Sequence, residues 1–165
     1  MNTRLVSMAF AAFLLLYSAV SFAGEYEDGG AAYIRGEYKT ALAMFTRAAN
    51  KGDASAQIML GLMYANGQGV AQDYNQAASW KRKAAEQGIV WAQTSLGLMY
   101  EQGRGVTQDY VEAHKWFNIA AAYSTETTQA SERILARYLR DAIAKRMTPA
   151  QIAEAEKRAN EWKNK

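Results

Sequence analysis

Residues 53–88 read DASAQIMLGLMYANGQGVAQDYNQAASWKRKAAEQG, and residues 89–124 read IVWAQTSLGLMYEQGRGVTQDYVEAHKWFNIAAAYS. Set one above the other without gaps, the two segments agree at 17 of 36 positions. The shared frame is Ala56-Gln57, Leu60-Gly61-Leu62-Met63-Tyr64, Gly67-x-Gly69-Val70, Gln72-Asp73-Tyr74, Ala77, Trp80 and Ala84-Ala85, and every member recurs 36 residues later. A period of this length marks stacked supersecondary units, each burying its open face against its neighbour.

Within a unit the spacing is helical. Ala56, Leu60 and Tyr64 recur every four residues and so share one helix face. Gly61 on that helix weakens it relative to alanine, a cost that close approach of the next helix would offset. Asn66-Gly67-Gln68-Gly69 supplies a turn with two residues free to adopt positive φ. Asp73 then stands where an N-cap is wanted, ahead of a second helix carrying Ala77, Trp80, Ala84 and Ala85, and Gly88 closes it as a helix-ending glycine. The second copy repeats these devices, with Ser124 in place of the final glycine.

The register extends upstream. Tyr38, Ala41, Ala48, Ala49 and Gly52 precede Tyr74, Ala77, Ala84, Ala85 and Gly88 by 36 residues. A shorter first hairpin over residues 24–52 is expected, turning at Gly36. Downstream, residues 125–165 read as a helical cap that closes the stack. Ile134, Leu135, Tyr138, Leu139, Ala142 and Ile143 form an apolar stripe. Thr148-Pro149-Ala150-Gln151 is a capping box with proline at the first helical position, and Ile152, Ala155, Ala159 and Trp162 share one side of the last helix.

These motifs resemble those of Sel-1-like repeat proteins, which are related to tetratricopeptide proteins. The resemblance rests on Ala-x-x-x-Leu-Gly-x-x-Tyr, Gly-x-Gly-Val, Asp-Tyr, Ala-x-x-Trp and Ala-Ala, present in both full copies at 53–88 and 89–124, and covers nearly all of residues 24–165. It implies an all-α, right-handed solenoid of stacked helical hairpins with a concave face and a role as adaptor or scaffold. Some members of that family are cysteine-rich and linked to β-lactam binding or hydrolysis. This chain has no cysteine and departs from that subgroup.

Residues 1–23 are set apart. Arg4 precedes an apolar run from Val6 to Val20, and Ser21-Phe22-Ala23 is a small-x-small cleavage site, the pattern of a secretory signal peptide. The run is short for a membrane span, so the expected membrane contact is transient and the expected location periplasmic or extracellular. Without residues 1–23, 18 basic residues stand against 16 acidic ones, a balance that gives no reason to expect a nucleic-acid partner. With no disulfide available, packing alone must hold the fold.

Chemistry is hard to assemble from this inventory. His114 is the one histidine, its repeat counterpart is Ala78, and it reads as a surface or packing residue. Asp73 and Asp109 are explained as caps, no metal-ligand cluster is evident, and no cofactor is expected. The two Gly-x-Gly loops lack the Lys-Ser/Thr of a phosphate-binding loop. Lys81-Arg82-Lys83 reads as a solvated helix face, with contact to an acidic partner as the lesser reading. Trp80, Trp116, Tyr64 and Tyr100 recur and are assigned to structure.

Recognition is sought instead where the copies differ. Ile58 and Met59 stand against Thr94 and Ser95, and Trp91 has no aromatic counterpart. Met63 and Met99 add adaptable apolar surface, and Tyr33 and Arg35 could extend the same face. The expected function is binding of a protein or peptide along the concave face. The alternatives are a cell-envelope or hydrolase-associated binding module, or inhibition of a target by binding alone.

Overall fold

The computed structural model describes residues 24–122 and 130–163. The expected signal peptide and Ser124 lie outside them. Among the described residues there are eight helices and no strand: α1 over 24–34, α2 (Tyr38–Asn50), α3 (Ala54–Asn66), α4 (Tyr74–Glu86), α5 (Val90–Gln102), α6 (Tyr110–Ala122), α7 (Ala130–Ala144) and α8 (Pro149–Lys163). Successive helices pack in antiparallel pairs, giving an all-α solenoid of hairpins. α6 is enclosed on three sides by α5, α7 and α8.

Several of the positions shared by the two copies acquire a physical reason. Gly67 and Gly103 end α3 and α5 in the left-handed conformation, at φ 68° and 66°. The side-chain amides of Gln72 and Gln108 then donate to the carbonyls of Ala65 (2.7 Å) and Glu101 (2.8 Å), which the finished helices leave open. Asp73 accepts from the backbone amides of Asn75 and Gln76, and Asp109 from those of Val111 and Glu112, as N-caps do. The capping box of α8 is formed as expected. Thr148 N–H donates to Gln151 Oε1 at 2.8 Å, and Gln151 N–H donates to Thr148 Oγ1 at 3.3 Å.

Other shared residues join one repeat to the preceding one. Gln57 and Gln93, both buried, donate to the carbonyls of Ala49 (3.2 Å) and Ala85 (3.1 Å) near the ends of α2 and α4. Gly69 lies against the first residue of α2, where a Cβ would meet the Tyr38 carbonyl at 2.6 Å. Gly105 meets Tyr74 of α4 in the same way and closer still. The second glycine of each loop is therefore where one unit's backbone rests on the previous unit's backbone.

The first hairpin is shorter by its loop. Three residues join α1 to α2, against seven between α3 and α4 and seven between α5 and α6. Packing still keeps its register, because Gly29 faces Phe45 as Gly97 faces Phe117. Gly61 occupies the equivalent place in the middle hairpin, but the residue facing it is Lys81.

Two sequence expectations change in the cap and core. The apolar stripe of α7 predicts burial of Ile134, Leu135 and Tyr138, yet these are 66%, 49% and 70% exposed, and α7 buries Ala136 and Ile143 instead. A stripe can be periodic and still too wide for one neighbouring helix to cover. Trp80 and Trp116 also diverge. Trp116 is buried and meets Trp162 of α8 edge-on at 6.2 Å, while Trp80 is half-buried with Lys83 Nζ 3.9 Å from its ring centre.

Candidate functional site

Along one side of α5 run Trp91, Thr94, Ser95, Leu98, Met99 and Gln102, spaced by three or four residues and so on one face. Two adjoining cavities open on it. The first, about 100 Å³, is apolar and is lined by Trp91, Thr94, Ser95 and Leu98 together with Glu132 and Leu135 of α7. The second, about 220 Å³, is lined by Ser95, Leu98, Met99 and Gln102 with Ala65, Tyr74, Lys81 and Arg104. Ser95 and Leu98 belong to both, so the two form one groove from α7 across α5 to the α5–α6 loop.

Trp91, Thr94, Ser95 and Met99, four of the residues expected to make contacts, thus come together. Trp91 is 37% exposed. Thr94 is buried at the floor of the apolar cavity, and its hydroxyl has no hydrogen-bond partner among the described residues. The remaining five are placed elsewhere. Met63 is fully buried in the first core, so it supports packing and offers no contact surface. Met59 packs against that core, and Ile58 against the next one, each partly buried. Tyr33 donates to Gln68 Oε1 at 3.0 Å and meets Tyr38 edge-on, and Arg35 pairs with Glu37 at 2.9 Å. Tyr33 is therefore engaged by the α3–α4 loop and Arg35 within its own turn.

Sequence reasoning missed Leu98, Arg104, Glu132 and Leu135, and gave Lys81 contact with an acidic partner only as the lesser reading of the Lys81-Arg82-Lys83 run. For Lys81 a signal was available. Position 81 is Phe45 one repeat earlier and Phe117 one repeat later, so a lysine replaces a core aromatic. The Lys81-Arg82-Lys83 run is not uniformly a solvated face. Lys83 is exposed, and Arg82 donates to the Tyr100 hydroxyl at 2.6 Å. Lys81 is half-buried, with its stem against Gly61 and its ammonium 5.1 Å from the Trp91 ring centre. Burial pushes its pKa down, and the like charge of Arg104 adds to the effect. Arg104 in turn lies 4.6 Å from the centre of the Tyr74 ring.

His114 is buried beneath the cap, and its Nδ1 has no partner among the described residues. Burial holds its pKa below the ordinary histidine value. Among the described residues no three His, Asp or Glu side chains converge as metal ligands would. Nor is any described helix long and apolar enough to cross a membrane.

Hairpins joined by a helix-ending glycine, an interlocking second glycine and an Asp cap define a helical-repeat scaffold. More particularly, the Sel1 repeat model matches residues 19–53, 54–89 and 92–122, and the chain belongs to the Sel1 repeat family. Solved structures similar to it include two helical-repeat proteins. One is a protective antigen of uropathogenic Escherichia coli strains displaying an SLR fold, 34% identical with a TM-score of 0.74, matched over 86% of this chain and 29% of that one. The other is a Sel1 repeat protein from Oxalobacter formigenes, 34% identical with a TM-score of 0.59, matched over 69% of this chain and 45% of that one. The chain thus spans less than half the length of either structure. A search of curated proteins finds no match. Sel1 repeat proteins are in general non-catalytic helical scaffolds that take part in protein–protein interaction.

Proposed function

We propose that this chain is an exported adaptor that binds an extended segment of another protein in the groove along α5, between α7 and the α5–α6 loop. The observation that carries the reading is the apolar cavity between Trp91, Leu98 and Leu135. It has room for one aliphatic side chain, and the Thr94 hydroxyl at its floor, without a partner among the described residues, offers a hydrogen bond to a ligand amide. Ile134 and Tyr138 continue the exposed apolar surface beyond it on α7. Aromatic and aliphatic anchors at the centre of such a surface supply most of the affinity in protein interfaces. Export is supported by the charge, apolar run and small residues of positions 1–23.

The test has two arms. The full chain is expressed in a bacterium with an envelope, and the product is fractionated and sequenced from its N-terminus. A periplasmic or secreted product beginning at Gly24 is expected, and a cytoplasmic product retaining Met1 would overturn the export reading. The exported protein is then used to capture crosslinked envelope proteins alongside a variant carrying Trp91→Glu and Leu135→Glu. A species held by the parent and lost from an equally stable variant is the expected result. Identical capture by both rules out the groove.

A further inference from the structure

The middle hairpin departs from the repeat at one place that packing does not require. Positions 45 and 117 hold buried phenylalanines that fill the space against Gly29 and Gly97, while position 81 holds a lysine. Its ammonium is carried over the α5 face to the cavity that Arg104 also lines. The other lining residues of that cavity are Ala65, Tyr74, Ser95, Leu98, Met99 and Gln102, so it has two cations and no carboxylate. Neither cation forms an ion pair within the described residues. Lys81 and Arg104 rest instead on the faces of Trp91 and Tyr74.

Holding two like charges together in a partly enclosed cavity disfavours the free protein and favours an anionic guest. Lys81 has already lost much of its hydration to burial, so a carboxylate there interacts in a medium less screening than water. The carboxylate of the groove, Glu132 on α7, lines the apolar cavity and not the one that holds Lys81 and Arg104. The groove is therefore positive at one end and greasy in the middle.

We infer that the Lys81–Arg104 cavity is an anion subsite, which takes the Asp or Glu side chain of a bound peptide whose neighbouring apolar side chain fills the Trp91–Leu98–Leu135 cavity. This rests on the groove reading above and specifies its ligand as an acidic–apolar segment. A side chain is the source of the carboxylate, because the two cavities share Ser95 and Leu98 and a continuous chain can fill both in passing.

The probe is a random dodecapeptide display library, with peptides fused through their carboxyl ends so that no free terminal carboxylate is offered. Selection uses the protein purified from cells expressing the full chain. Enriched peptides are expected to carry Asp or Glu within a few residues of a large apolar residue. For one such peptide, measured by fluorescence anisotropy, replacing its acid by the amide should weaken binding to the parent about tenfold or more. The same replacement should change binding less than twofold in a protein carrying Lys81→Met and Arg104→Gln. These substitutions keep most of each side-chain stem, and thermal melting confirms the fold. If acid and amide bind alike, or the double variant selects the same acidic peptides, the anion subsite is wrong. The groove reading survives that result provided Trp91→Glu with Leu135→Glu still abolishes binding. If no peptide is enriched, or enriched peptides ignore all four positions, both readings fall.

Discussion

Gly61 and Gly97 are the same residue in the same repeat position, yet a methyl group added at each meets different matter. At Gly97 it would lie 2.5 Å from the ring of Phe117, which is fully buried and has nowhere to move. At Gly61 it would lie 2.9 Å from Cγ of Lys81, a flexible stem with an exit toward the groove. Overpacking a filled core costs about 1–3 kcal/mol, while replacing glycine by alanine inside a helix returns up to about 1 kcal/mol. Gly97→Ala should therefore melt lower than the parent, and Gly61→Ala should melt near it. Equal losses in thermal denaturation would refute the distinction. A second residue-scale expectation concerns His114. Burial, the largest influence, lowers its pKa; Glu156 and Asp141 act to raise it, and Arg140 to lower it. The unfolded chain then binds a proton at higher pH than the folded chain does. Stability should fall as pH drops from the ordinary histidine value, about 6.5, through the lower folded value. Melting followed between neutral and mildly acidic pH should show this slope, and His114→Gln should lack it.

The helices divide into those whose sequence states their role and those whose neighbours assign it. α4 belongs to the first kind. Asp73 caps it through two amide hydrogen bonds, so Asp73→Ala should cost about 1 kcal/mol, read from chemical denaturation. α7 belongs to the second. Its six apolar positions are alike in sequence, but packing against α6 covers only one edge of the stripe. Ile143→Ala should cost about 2–5 kcal/mol because that side chain is buried. Tyr138→Ser should change stability little, because Tyr138 is exposed. If the two variants melt alike, α7 does not turn its Ala136 and Ile143 edge inward.

For the whole molecule, stability is a sum of neighbour contacts, and the cap matters out of proportion to its length. α8 covers the far side of α6 through Trp162 on Trp116 and through Arg158, which pairs with Glu112 at 3.0 Å. A chain cut after Met147 would uncover Trp116 and the small buried side chains beside it. It should unfold at lower temperature and less cooperatively than the parent, seen together by circular dichroism and tryptophan fluorescence. Unchanged melting would mean that α8 is an appendage and not a cap.

The sequence by itself determined the repeat, its hairpin composition, the caps and the turn glycines, because these depend on contacts within about ten residues or on exact recurrence. Helical spacing also placed Trp91, Thr94, Ser95 and Met99 on one face of α5, the first three singled out because they differ between the copies and Met99 because methionine adapts to varied partners. The sequence could not show that Met63 is consumed by the core, that Tyr33 is held by Gln68 of the α3–α4 loop, or that α7 leaves Ile134, Leu135 and Tyr138 in the open. Nor could it bring Leu135 to Trp91, or Arg104 to Lys81. Those pairings depend on how far each hairpin is turned against the next. Helical spacing fixes which residues share a face; only the packed neighbours decide which face is covered.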